Sequence, residues 1–248
     1  MADWRGLTAQ TNFTYSKALG TGTLYQAVSS YAPFDSFDLA EEYGRQAWDQ
    51  KFTFNTFFVY QPPFYKGQSG VIGRVLGGWT FATVFTAGSG TPVNLETTYG
   101  SAQEFGGADD INFTTDANAL PIKPEGRYSA HYNSPSNGLP INGFKNGVAD
   151  ISNWRNPILG LDNRDCGSGC ISGLPYWNMD FSMKKSILVT EGVNMEFQGV
   201  FANVLNHDQF LNGFSYLGNP AGWGALGGSA QEQTGGNRII ELGARVRF

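Results

Sequence analysis

The chain contains little charge, and the charge it has is mostly negative. Charged residues make up 15% of its 248 residues, well below the roughly 25% that is typical of soluble domains. Sixteen Lys and Arg residues stand against 21 Asp and Glu, which gives a net charge of −5, and no run of basic residues occurs. A protein that binds a phosphate backbone needs a basic surface. The composition therefore argues against nucleic acid as a partner.

Long apolar runs and enzyme motifs are missing as well. No stretch approaches the roughly 18 to 20 apolar residues of a membrane helix, and the opening MADWRGLTAQ lacks the basic and apolar regions of a signal peptide. The sequence contains no P-loop, HExxH, GxSxG or CxxC motif. We therefore predict that the protein is not an enzyme and binds no cofactor.

Cysteine and histidine are scarce, with two residues of each. Cys166 and Cys170 lie close together in the Gly-rich stretch DCGSGC. One cysteine pair with no nearby histidine lacks a zinc ligand set, so we predict a disulfide that closes this small loop in an oxidising compartment. His131 and His207 fall in predicted loops or at their base, and we interpret His207 as a turn residue rather than a catalytic base.

Acidic residues form two small clusters in the longest connection. Flexible loops can hold Ca²⁺ through carboxylate oxygens, but such clusters are more often solvated loop charge, and we favour that interpretation. The residues concerned are Asp109 and Asp110, and Asp162 and Asp165.

Glycine and aromatic residues are abundant, at 33 residues and 15% of the chain. Six stretches alternate apolar and polar side chains, near 6–18, 51–62, 77–88, 175–186, 192–205 and 237–248. Each has about the length of a tilted membrane strand, roughly 9 to 11 residues. In the last stretch Leu242, Val246 and Phe248 share one face, and the charged residues share the other. The pattern predicts six β-strands.

The connections between these strands alternate in length. Those after the first, third and fifth strands are long, with the largest at 89–175, and the other two are short. Long structureless loops are unusual in a compact soluble domain, whereas outer-membrane barrels have long extracellular loops and short periplasmic turns. We therefore predict an all-β, antiparallel transmembrane β-barrel segment of about six strands in the bacterial outer membrane. A secreted β-sandwich binding module would explain the strands but not the alternation of loop lengths.

Charged residues in or next to the predicted strands alternate onto the polar face. On a lipid-facing surface a mid-membrane Arg or Lys costs roughly 2 to 4 kcal/mol. We therefore predict that the charged residues face a polar lumen: Lys51, Asp180, Lys184, Glu196, Glu241, Arg245 and Arg247.

The amino-acid sequences of the predicted strands resemble those of a known family. The stretches, in chain order, are GLTAQTNFTYSKAL, DLAEEYGRQAWDQKFTFNTFFVYQPP, LGGWTFATVFTAGSGTPVNL, YWNMDFSMKK, MEFQGVFANVLNHDQF and RIIELGARVRF. Together they resemble the C-terminal part of the barrel of Oar-like TonB-dependent outer-membrane transporters of the acidobacterial type. The resemblance covers most of the chain outside the long middle connection. It implies uptake of a bulky solute, driven by the TonB complex through a periplasmic plug domain.

The resemblance also implies partners and one further role. The partners are outer-membrane lipid, the remainder of the barrel, the plug, the TonB complex acting through that plug, and the barrel-assembly machinery. Phe248, with Val246 and Leu242, resembles the C-terminal signal that this machinery reads. In an intact transporter the charged residues of the polar face would contact the plug or line the substrate path.

The sequence differs from the family because it corresponds to only part of a complete family member. Family members also carry a signal peptide, a plug and the first part of a barrel of about 22 strands. We therefore expect this chain to be a fragment that lacks the plug, a partial barrel of the 22-stranded class, with Met1 an internal methionine. The alternative is a structural or adhesive outer-membrane barrel, which a plug domain encoded upstream would exclude.

Overall fold

One antiparallel sheet dominates the computed structural model. The structure describes residues 2–21, 40, 43–46, 48–93, 95–96, 120–121, 141–155, 171–190, 192–210, 215–226 and 237–248. The sheet contains seven strands in chain order, each antiparallel to the next. They are β1 (Ala2–Trp4), β2 (Leu7–Tyr15), β3 (Phe52–Tyr60), β4 (Trp79–Gly88), β5 (Tyr176–Thr190), β6 (Val193–Ala202) and β7 (Ile239–Arg247). The prediction of an antiparallel all-β fold is confirmed.

Strands β2 to β7 lie within or overlap the six predicted stretches, but two features differ. A seventh strand, β1, forms a hairpin with β2 through Arg5 and Gly6, whose φ angles of 47° and 85° suit the positive-φ turn that matches strand twist. The predicted end of β5 near residue 186 is also wrong, because the strand continues to Thr190. The additional residues of β5 are paired with β6, since Ser186 lies opposite Glu196 and Leu188 lies opposite Asn194.

The pairing register divides the sheet into two chemically different faces. Residues directly opposite each other in an antiparallel pair point to the same side. The apolar face includes Leu7, Phe13, Phe54, Phe58, Phe81, Phe85, Trp177, Phe181, Phe197, Phe201, Leu242 and Val246. The polar face includes Thr8, Gln10, Asn12, Asn55, Thr86, Asn178, Asp180, Lys184, Glu196, Gln198 and Arg245, and it is interrupted by the apolar side chains of Phe57, Val59 and Val84.

Aromatic contacts and one hydroxyl pair connect the strands across the apolar face. Phe85 lies between Phe54 and Trp177, with ring centroids 6.1 Å and 6.3 Å away. The Thr11 and Thr56 hydroxyls are 2.9 Å apart, and the Thr56 hydroxyl also donates to the Gln10 carbonyl at 3.0 Å. The Thr11 and Thr56 hydroxyls on the apolar face therefore bond to each other and to the backbone.

The connection between β3 and β4 contains helix α1 (Gly70–Leu76), where the sequence analysis placed only a short turn. The Gly77 N–H closes its last turn by donating to the Gly73 carbonyl at 2.9 Å. Before the helix, the Gln68 side chain donates to the Ser186 carbonyl at 2.8 Å and accepts from the Leu188 N–H at 2.9 Å. Gln68 thus bonds the part of β5 that extends beyond β4. Among the described residues, no helix is long and apolar enough to span a membrane.

Two short turns and α1 lie at one end of the sheet, and the three long connections lie at the other, here called the loop end. The described parts of the long connections contain small paired segments. Leu19–Gly20 pairs with Gly44–Arg45, Pro92–Val93 with Ile171–Ser172, Leu120–Pro121 with Trp154–Arg155, and Leu95–Glu96 with Ser215–Tyr216. Two 3-10 helices, Gly147–Asn153 and Pro220–Gly222, accompany them. The described parts of the long connections therefore have secondary structure of their own.

The sheet is open in the part of the chain that the structure describes. Strand β1 pairs only with β2 there, and β7 only with β6. Each outer strand therefore presents one row of backbone N–H and C=O groups without a strand partner among these residues.

Candidate functional site

Six of the seven charged residues predicted to line a lumen share the polar face. They are Asp180, Lys184, Glu196, Glu241, Arg245 and Arg247. Lys184 lies between Thr80 and Gln198 in the register, and Glu196 lies opposite Arg245. The seventh residue, Lys51, directly precedes β3 at the loop end, where its carbonyl accepts the Ser16 N–H at 3.2 Å. The strands thus bring acidic and basic side chains together on one surface.

Opposite charges on this face are close enough to pair. The Arg247 Nη2 lies 3.2 Å from the Glu196 Oε2, and the carboxylate is the more buried partner. A partly exposed pair of this kind contributes about 0.2 to 1 kcal/mol. The pair therefore adds little stability, but it neutralises charge at the end of the sheet opposite the loops.

Asp180 fixes the turn that follows β6. Its Oδ1 accepts from the Asn178 side chain at 2.9 Å and from the Asn203 N–H at 2.8 Å. The Asn203 side chain in turn accepts from the His207 N–H and donates to the His207 carbonyl, both at 2.9 Å. Asn203 adopts φ 48°, a left-handed conformation that asparagine tolerates better than most residues. This network shapes the start of the third long connection.

The imidazole of His207 packs against the strand rather than pointing into an open cleft. Its ring stacks on Trp177 with centroids 4.0 Å apart. Burial lowers the pKa of His207 below its usual value of 6.5, although the nearby Asp208 carboxylate opposes the shift. The neutral ring is therefore favoured near pH 7. These contacts support the interpretation of His207 as a turn residue.

The long connections build a second feature at the loop end, here called the loop cap. Its buried core comprises Val93, Phe144, Trp154, Ile171, Leu174 and Trp223. Phe144 stacks on Trp223 at 5.7 Å between ring centroids, and Trp154 lies 6.4 Å from the same ring. Trp223 belongs to the third long connection and the other core residues to the second. Two connections that are distant in sequence therefore share one apolar core.

Buried polar side chains hold the backbone of the loop cap. Asn142 donates to the Trp223 carbonyl at 2.6 Å and accepts from the Phe144 N–H at 2.8 Å. Asp150 accepts from the Asn146 N–H at 3.1 Å and from the Asn146 side chain at 2.7 Å. Buried polar groups that are hydrogen-bonded in this way restrict the loop to one conformation.

The first long connection reaches the loop cap through Arg45. Its Nη1 donates to the Ser172 hydroxyl at 2.7 Å, and its Nε pairs with Asp49 Oδ2 at 2.7 Å. Burial alone would raise the pKa of Asp49, but hydrogen bonds from Arg45 and from the Ala18 N–H outweigh it and lower that pKa below 3.8. All three long connections are thus linked, and Asp49 remains charged at neutral pH.

Several residues considered from the sequence lie outside the described ranges. They are Cys166, Cys170, His131, Asp109, Asp110, Asp162 and Asp165. The disulfide between Cys166 and Cys170 therefore stays a prediction. Within the described ranges, no group of three His, Cys, Asp or Glu side chains is arranged to hold a metal ion.

The C-terminal residues singled out from the sequence lie on the last strand and just beyond it. Leu242 and Val246 share the apolar face, opposite Gly199 and Met195 of β6. Phe248 follows the strand and is 98% exposed. A role for these residues in barrel assembly stays a prediction.

The sequence analysis missed Lys185, which is a cation on the apolar face. Its partners in the register are Trp79 and Phe197. The ammonium is buried, donates to the carbonyls of Arg74, Val75 and Gly77 at the end of α1, and lies 5.0 Å from the Trp79 ring centroid. The alternation of β5 carried the signal, because it places Lys185 on the same side as Met183 and Ile187.

A family model matches most of the chain. The model, described as an outer membrane beta barrel domain, matches residues 2–241. A search of curated proteins returned no match, and neither did a search of solved structures.

Proposed function

Because the chain belongs to the outer-membrane β-barrel domain family, and therefore lies in the outer membrane, we propose that it is the C-terminal barrel portion of a TonB-dependent transporter of the Oar-like type. The transporter takes up a bulky solute. Transport energy reaches it from the TonB complex through a plug domain. The barrel portion itself supplies a wall and a binding surface, and no catalysis.

The main support for this proposal is that the strands place charged and aromatic side chains on opposite faces of the sheet. Six charged residues share the polar face, and a mid-membrane Arg or Lys on the lipid side costs roughly 2 to 4 kcal/mol. The apolar face, rich in Phe and Trp, therefore contacts lipid, and the polar face lines the lumen. Lys185, a cation on the apolar face, is buried under backbone carbonyls. It therefore does not expose its charge to lipid.

The open sheet supports a partial barrel. Transporters of the proposed type have about 22 strands, whereas the sheet described here has seven. The edges of β1 and β7 then pair with strands from the remainder of the barrel. The positions of the aromatic residues also support strands that cross a membrane. Tyr15, Tyr60 and Trp79 each lie at a strand end, where interfacial aromatic girdles occur.

Transport, rather than a purely structural role, rests on the ordered resemblance of the strand sequences to the Oar-like transporters. The loop cap would then face the outside and contribute to solute recognition, since binding residues are concentrated on loops held by a rigid scaffold. The cap also supports a second candidate, an adhesive outer-membrane barrel whose folded loops bind a surface. Family membership argues against the secreted β-sandwich.

The decisive test is to sequence the DNA upstream of the Met1 codon and translate it in frame. We expect an uninterrupted reading frame that encodes a signal peptide, a plug domain and further alternating strands. A stop codon close upstream, with no plug encoded, would contradict the transport proposal. Affinity capture of the complete gene product with the periplasmic domain of TonB would then test the coupling directly, and a plug-deleted variant should not be captured.

A further inference from the structure

Helix α1 carries an exposed apolar stripe. Val71, Ile72, Val75 and Leu76 are 80%, 64%, 59% and 44% exposed. At 100° per residue these four positions span an arc of about 140° on one side of the helix. Gly73 is the buried residue of the helix, and a Cβ there would lie 2.9 Å from the backbone of Gln68. The helix therefore packs by its glycine side and presents branched apolar side chains outward.

The helix is attached to the apolar face at the end of the sheet opposite the loop cap. Lys185, a residue of that face, donates to the carbonyls of Arg74 and Val75 at 2.6 Å and 3.0 Å. Trp79, on the same face, donates from Nε1 to the Val75 carbonyl at 2.9 Å. The last turn of α1 is thus bonded to two side chains of the apolar face, and its stripe continues that surface.

The connection around α1 is basic in an acidic chain. Residues 61–78 contain Lys66 and Arg74 and no acidic residue, whereas the whole chain has a net charge of −5. Both cations are exposed, and so are the neighbouring aromatic residues Phe64 and Tyr65, at 50% and 51%. Apolar, aromatic and basic side chains together are typical of a helix that lies in the membrane interface.

We infer that residues 61–78 form an interfacial anchor, in which the α1 stripe inserts into the periplasmic leaflet while Lys66 and Arg74 bind the headgroups of anionic phospholipid. The inference rests on the proposed orientation, with the apolar face toward lipid and the loop cap outside. Because the α1 stripe is continuous with the lipid-facing surface of the sheet, we assign lipid as its partner. The positive charge of Lys66 and Arg74 favours anionic headgroups. Each cation near such a surface contributes roughly a fivefold preference.

Insertion is tested with the complete gene product in lipid nanodiscs. In a Cys166→Ser/Cys170→Ser background, Ile72→Cys is labelled with a polarity-sensitive fluorophore, and lipids that carry a quencher near the headgroup are added. We expect a blue-shifted emission and strong quenching at position 72. Phe197→Cys on the apolar face is the positive control, and Gln198→Cys on the polar face is the negative control.

The two controls distinguish a failure of the interfacial anchor from a failure of the proposed barrel orientation, on which the anchor rests. Quenching at position 197 without quenching at position 72 would overturn the anchor and leave the barrel orientation intact. Quenching at position 198 but not at position 197 would overturn the orientation, and the anchor with it.

Lipid selectivity is tested with quencher-labelled phosphatidylglycerol and phosphatidylcholine. We expect the fluorophore at position 72 to be quenched several-fold more by phosphatidylglycerol, and we expect Lys66→Gln with Arg74→Gln to abolish this preference. The matched control, Lys17→Gln with Arg238→Gln, removes one Lys and one Arg at the loop end and should leave it unchanged. Equal quenching by the two lipids, or equal effects of the two double variants, would overturn the headgroup assignment.

Discussion

Single residues on the apolar face show how a membrane strand accommodates polar groups. Lys185 donates its ammonium protons to the carbonyls that end α1, and cations near a helix C-terminus are electrostatically favourable. Thr11 and Thr56 bond to each other. In each case a polar atom that would be costly next to lipid has a local partner. Alternation places Lys185 on the apolar face, but the carbonyl partners of its ammonium depend on tertiary contacts that no local pattern reports.

The Thr11 and Thr56 pair leads to a prediction about stability. We expect Thr56→Val to lower the free energy of unfolding by about 1 to 2 kcal/mol, because the Thr11 hydroxyl then loses its partner on an apolar surface. Urea titration of the folded protein in detergent measures the loss. The double variant Thr11→Val/Thr56→Val should be more stable than Thr56→Val alone, and strictly additive losses would show that the two hydroxyls do not interact.

His207 leads to a prediction about pH. Its pKa lies below 6.5 in the folded protein because the ring is partly buried, so folding favours the neutral form. The stability from this residue is fully present above pH 6.5 and is lost as the pH falls through the lowered folded pKa. We expect amide exchange in residues 203–210 to accelerate over that range. His207→Phe should retain the stacking on Trp177 and remove the pH dependence, and an NMR titration of His207 with a pKa of 6.5 or above would contradict this account.

The sequence predicts the strands of the sheet better than it predicts helix α1 or the loop cap. Strands β2 to β7 follow from period-two alternation, a local signal that pairing then reinforces. Helix α1 spans only seven residues, too few for a clear helical period, and its place depends on Lys185 and Gln68. The loop cap requires Phe144 and Trp223 to meet, and no local pattern reports a contact between residues so far apart in sequence.

Gln68 provides a test of how the extended end of β5 is held. Its side-chain amide bonds the Ser186 carbonyl and the Leu188 N–H, in the place where a neighbouring strand would pair. We expect Gln68→Ala to increase the hydrogen-exchange rate of the Leu188 amide by at least about fivefold, since one hydrogen bond contributes about 1 kcal/mol or more when its loss exposes the backbone. The control Ser69→Ala alters the adjacent side chain, and equal exchange in both variants would contradict the assignment.

At the scale of the whole molecule, the proposed function depends on which face of the sheet meets lipid. Family membership places the barrel in the outer membrane. Alternation in the sequence assigned six charged strand residues to one face, as the register does, whereas Lys185 lies on the other. The sequence also predicted the unequal ends of the sheet, because loop lengths are read directly from the spacing of strands.

The most direct measurement is paired cysteine labelling on β6 of the complete gene product in intact outer membranes. Phe197 and Gln198 are adjacent, both are exposed in the open sheet, and they lie on opposite faces. In the Cys166→Ser/Cys170→Ser background, we predict that Gln198→Cys reacts with a small water-soluble thiol reagent. Phe197→Cys should stay unreactive and be quenched by a lipid-borne quencher. The reverse pattern, or equal reactivity at both positions, would contradict a polar lumen and a lipid-facing aromatic surface.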